Sequence, residues 1–109
     1  MILAIIEMTV FPAKRLEFLQ TMYGLVPSIR EEKGCLKCTA CQEIEDENTF
    51  CVFAGWETQN DLDRHLRSDL FEVLLGTKNF LSEPWKMIFN TVSSTSGIET
   101  VIKARRKPI

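Results

Sequence analysis

The sequence predicts an α+β domain in which helices cover one side of a four-stranded antiparallel sheet. The hydrophobic period switches between two and 3.6 residues in the order strand, helix, strand, strand, helix, strand, and each switch falls at a residue that breaks or caps an element. In addition, a polar turn of hairpin length, Glu45-Asp46-Glu47-Asn48, joins the second and third strands.

Residues 2 to 10 (Ile-Leu-Ala-Ile-Ile-Glu-Met-Thr-Val) are rich in branched apolar side chains and stop before Pro12, as a strand does. From Ala13 the period lengthens. Leu16, Leu19, Met22, Tyr23, Val26 and Ile29 recur at helical spacing, and Glu31-Glu32-Lys33 run out into Gly34, a natural C-terminal cap. Pro27 removes a backbone donor and crowds the carbonyl of Tyr23, so one kinked helix is expected. Residues 36 to 42 and 49 to 57 form the hairpin strands. Thr58 opens a second helix, with Asp61 completing a loose capping box, and Ser68 restarts or bends it before Phe71, Leu74 and Leu75. Glu83-Pro84 ends the helical part, and residues 85 to 92 make the fourth strand. This order is the ferredoxin-like βαββαβ arrangement. Residues 1–109 therefore read as one domain with a core over 2–92; residues 93–109 are a C-terminal strand or arm.

Strand parity carries a further expectation. Ile2, Ala4, Ile6, Met8 and Val10 share one face of the first strand, yet Leu3 and Ile5 stand on the other. In the third strand Phe50, Val52, Ala54 and Trp56 oppose Cys51, Phe53 and Gly55. A sheet with helices on one side should be polar on the other where it meets water, and this one is apolar on both. The simplest cover is the same sheet of a second copy, giving a homodimer; the alternative is loosely patterned core strands.

At 45% hydrophobic and 26% charged residues the chain is an ordinary globular domain, and its net charge of −2 argues against nucleic acid as a partner. The one basic cluster, Lys103 to Lys107, is terminal and reads as a solvated tail. The apolar start is interrupted by Glu7 and has no positive segment before it, so no signal peptide or membrane span is expected. The expected location is cytoplasmic, with four reduced cysteines. Cys35-x-x-Cys38-x-x-Cys41 has iron–sulfur-like spacing, but Glu45 and Asp46 stand where the fourth ligand belongs. In a strand Cys38 would point opposite to Cys35 and Cys41, and those two would lie ~20 Å apart. The cysteines are therefore read as packing, with no metal site and no cofactor.

Leu62, His65 and Leu66 make one stripe of the second helix, and Trp56 ends the strand just before it, so both rings can approach one cavity. Taken alone, the pair also fits a satisfied interior histidine beside a core aromatic. Gly34-Cys35 after an acidic helix end, Trp56-Glu57-Thr58, and Leu62-x-x-His65-Leu66-x-Ser68-x-x-Phe71 together resemble the antibiotic biosynthesis monooxygenase domain family, which includes quinol and anthrone monooxygenases. The resemblance implies a dimeric α/β barrel and a monooxygenase, free of cofactor, acting with O2 on an electron-rich quinol, phenol or anthrone. It places His65 as base and Trp56 as oxyanion donor or ring-positioning group. Phe53, Cys38, Met87 and Phe89 are the expected substrate-binding residues. The chain departs from the family at Cys38, where a tyrosine or other aromatic is common, at Ala54 (glutamate) and at Leu70 (a second histidine). Haem-degrading relatives carry a first-strand asparagine where Ile6 and Glu7 stand, so haem degradation is not expected. The alternative function is a non-catalytic dimeric domain that binds a hydrophobic small molecule.

Overall fold

The computed structural model describes residues 1–106. Its sheet has the order β2-β3-β1-β4, from β1 (Ile2–Thr9), β2 (Cys35–Gln42), β3 (Thr49–Trp56) and β4 (Lys86–Thr91), all antiparallel. Helix α1 (Arg15–Arg30) follows β1 after a short 3-10 turn, and α2 (Gln59–Leu66) and α3 (Asp69–Gly76) follow β3. This is the ferredoxin-like fold. Among the described residues no helix is long and apolar enough to cross a membrane.

The inner face of the sheet is the one beneath the helices. Ile2, Ala4, Ile6 and Met8 are buried there, level with Trp56, Ala54, Val52 and Phe50 of β3, and Phe18, Met22, Val26 and Ile29 of α1 close over them. Helix α1 runs unbroken through Pro27, because the contacts of its apolar face outweigh the one backbone hydrogen bond that proline removes. It ends at Arg30 with Glu31 as its C-cap, and Gly34, in the turn just before β2, takes φ 82°, a conformation open to glycine, and accepts the Glu57 amide at 2.8 Å through its carbonyl. The second helical region is two helices. Thr58 caps α2 by accepting the Asp61 amide at 3.1 Å, and Ser68 caps α3 by accepting the Phe71 amide at 3.2 Å.

Two expectations need correction. Residues 98 to 104 form a helix, α4 (Ile98–Ala104), and not a fifth strand. The Glu99 carboxylate accepts the Gly97 amide at its start, and none of its residues is buried, so it stands off the domain as an arm. Lys107 of the basic cluster lies outside the described residues. The second correction concerns Cys35. A bulge between Cys35 and Lys37 puts Leu36 and Lys37 together over Gly55 on the outer face, which returns Cys35 to the level of Trp56. Cys35 thus packs against the core on the same side as Cys38.

Candidate functional site

Trp56 ends β3 fully buried, and the ring of His65, in the last turn of α2, lies on it, centroids 4.4 Å apart and 24° from parallel. Phe71, carried by α3, meets the other side of the imidazole edge-on at 5.3 Å. The Ser68 break matters here: Ser68 donates to the His65 carbonyl at 2.6 Å, ending α2 so that α3 can turn Phe71 back onto the ring. Three elements thus hold one ionisable side chain that is only 6% exposed.

Glu32 supplies the polar partner, its Oε2 lying 2.9 Å from His65 Nδ1. An ionised carboxylate can only accept, so Nδ1 carries the proton and the neutral ring keeps its lone pair on Nε2. The backbone of Glu32 is fixed in the turn before Gly34, its amide donating to the Ile29 carbonyl at 3.0 Å and its carbonyl accepting the Cys35 amide at 3.1 Å. Two buried polar atoms beside the ring have no protein partner, the Trp56 indole Nε1 and Glu32 Oε1. Leaving such groups unpaired costs about 1–3 kcal/mol each. Residues with that cost cluster where a ligand can recover it.

Below the imidazole is a small enclosed cavity. Its walls include His65, Trp56, Cys38, Ala54, Phe71 and Phe89, and the water-accessible space is about 20 Å³. Of the expected substrate-binding residues, Cys38 and Phe89 line it. Cys38 is a neutral wall: burial, reinforced by Cys35, pushes its thiol up to about 11. Phe89 is 43% exposed and forms a partly open side. Met87, level with Ile6, packs against the core on the inner face but is not among the cavity's lining residues. Phe53 is brought elsewhere. It pairs with Ile5 and so points from the outer face, because strand parity separates it from Val52 and Ala54 on either side. Leu70 is partly buried against the core and does not line the cavity.

Glu32 was missed in the sequence, where it read only as part of an acidic helix end. The available signal was its place two residues before the capping glycine, opposite a helix carrying the single histidine.

A wider groove of about 390 Å³ lies between α1 and the β2 edge, over Phe18, Met22, Tyr23 and Ala40. Its basic group, Arg30, already spends Nε on Cys38, and no imidazole or carboxylate lines it. The groove and the histidine cavity share Val52 as a wall.

The family model for antibiotic biosynthesis monooxygenases matches residues 1–74, a span that holds Glu32, Trp56, His65 and Phe71. The chain belongs to the antibiotic biosynthesis monooxygenase family. Among solved structures, a conserved protein of Methanosarcina mazei is similar at 26% identity and TM-score 0.77, covering 82% of this chain and 89% of that one. A Deinococcus radiodurans protein whose name carries the same family term superposes at TM-score 0.83 with 14% identity, covering 90% and 98% of the two chains, which speaks to fold alone. An uncharacterized protein of Synechocystis is 24% identical over 85 residues, 77% of this chain; the match spans 58% of that relative's length.

Proposed function

We propose that this member of the family oxidises a small electron-rich aromatic, of quinol, phenol or anthrone type, with O2 in the space beside Trp56, His65 and Phe89. The observation that carries the reading is the Glu32–His65 pair: a half-buried carboxylate accepting from Nδ1 of a buried imidazole leaves Nε2 as the free base nitrogen beside the apolar cavity. Such substrates supply their own electrons once deprotonated. For an anthrone-type methylene, His65 removes a C–H proton, the carbanion adds O2 to give a hydroperoxide, and loss of water leaves a carbonyl. The unpartnered indole N–H of Trp56 is the group suited to hold the oxyanion. Cys38 and Phe89 would bound the ring. The apolar outer face of the sheet, where Leu36 and Ile88 are more than half exposed, fits a homodimer formed through that face.

A second reading has its own support. About 20 Å³ is room for a water-sized molecule and not for an aromatic ring. Oxidation therefore requires Phe89 to swing out or the cavity to open past Val52 into the α1 groove, whereas a binding protein could take a hydrophobic small molecule in that groove of about 390 Å³ as it stands. Oxygen uptake with hydroquinones and anthrone separates the two. The oxygenase reading expects uptake that falls about 10²–10⁴-fold in His65→Ala, as loss of a general base does, with a smaller loss in Trp56→Phe and in Glu32→Gln. Saturable ligand binding without uptake, or uptake indifferent to His65, would replace it with the binding reading.

A further inference from the structure

The outer face carries one row of thiols and charged groups among apolar and neutral polar side chains. Cys41 of β2 pairs directly with Cys51 of β3, Cys51 with Glu7 of β1, and Glu7 with Lys86 of β4, so four side chains stand at one level on one side. Glu43 joins them just beyond the end of β2, two residues after Cys41. Donor atoms of Glu7, Glu43 and Cys51 all lie within 4.8 Å of one another. Directly opposed strand residues have Cβ atoms ~5 Å apart, which puts the Cys41 thiol within rotamer reach of the same point.

We propose that Cys41, Cys51, Glu7 and Glu43 form a binding site for a thiophilic divalent cation of the zinc class. Four donors from a single chain, two sulfur and two carboxylate, match tetrahedral zinc. With metal–sulfur bonds of ~2.3 Å and metal–oxygen bonds of ~2.0 Å, ligand atoms in such a site are ~3.5 Å apart, an approach that side-chain rotation supplies from 4.8 Å. The electrostatics favour a cation. Two carboxylates, Glu7 and Glu43, stand beside the Cys51 thiol and would offset the charge of a bound cation. The cation now near the row is Lys86, whose Nζ is 3.6 Å from Glu7 and whose side chain is 67% exposed. A surface pair of that length is worth too little to hold the site closed. This set is distinct from the Cys35-Cys38-Cys41 run, since Cys35 and Cys38 belong to the inner face. It also does not depend on the reaction proposed for His65.

Cobalt is the probe, because thiolate-to-Co²⁺ charge transfer reports sulfur ligation in the near ultraviolet. The full chain titrated with Co²⁺ under reducing conditions is expected to develop this band with an end point of one equivalent, and Zn²⁺ is expected to abolish it. Cys51→Ser should lose the band and Cys41→Ser should lose about half of its intensity. Glu43→Gln, at an exposed position where unfolding is not at issue, should weaken Co²⁺ about tenfold or more. Circular dichroism checks that the cysteine variants are folded. A wild-type chain without the band at millimolar Co²⁺, a band that survives Cys51→Ser, or one whose affinity ignores Glu43→Gln would overturn the site.

Discussion

Ile5 and Ile6 are the same side chain on successive residues of β1, and the sheet sends them into different surroundings. Ile6 is buried beneath the helices, level with Val52 and Met87, and it is a wall of the histidine cavity. Ile5 stands level with Phe53 and Ile88 on the opposite face, where it is only partly buried. The inner face gathers the aromatic stack of Trp56, His65 and Phe71 under one polar contact, Glu32. The outer face mixes exposed apolar residues with a row of thiols and carboxylates. A two-residue period thus sets the chemistry of each face, and what covers it decides how much each side chain contributes.

The largest effect tests that contrast directly. Ile6→Ala should destabilise the chain by about 2–5 kcal/mol, the range for truncating a buried isoleucine, while Ile5→Ala should cost about 1 kcal/mol or less in the isolated chain. Thermal unfolding of the two variants measures the gap. If a second copy covers the outer face, the Ile5→Ala loss instead depends on protein concentration, and sedimentation shows weakened association. Next in size is Gly34→Ala. The residue sits at φ 82°, and a Cβ there would run into the Asp61 carboxyl, so a loss of about 2–3 kcal/mol is expected. The same variant should also disturb the His65–Glu32 pair, visible as a changed imidazole NMR titration, because the Gly34 turn sets where Glu32 lies. The smallest effect is confined to acid. The Thr58 hydroxyl, and after it Arg64, hold the Asp61 carboxyl below the ordinary carboxylate range. A lowered folded-state pKa gives stability that is present above the unfolded value of ~3.9 and lost as pH falls through the folded one. The Tm difference between wild type and Asp61→Asn should therefore be full at pH 6 and shrink steadily below pH ~4.

Local rules made much of this molecule legible. Pro12, Gly34, Thr58, Ser68 and Pro84 each mark an element boundary by backbone geometry or a side-chain cap, so the ferredoxin-like order follows from the residues themselves. Alternation placed Trp56 and Ala54 on one face and Phe53 on the other, and helical spacing turned His65 inward. The short range of those rules is also where they ended. Nothing near Leu36 announces the bulge that moves Cys35 to the inner face, since a bulge forms when two strands must match twist and length across a pairing. A hairpin connection of unknown register left Cys41 and Cys51 unassigned, and the register made them partners. The seven residues of α4 are apolar enough for a strand, yet they satisfy their backbone within a helix. Glu32 reaches His65 across 33 positions because the Gly34 turn and the β3–α2 junction bring two helix ends together. The sequence by itself determined which side chains can be buried and where each element stops, since those depend on neighbours within a turn or two. Which groups meet was decided by the tertiary structure alone, because pairing register and helix docking are set by the packing of the whole core.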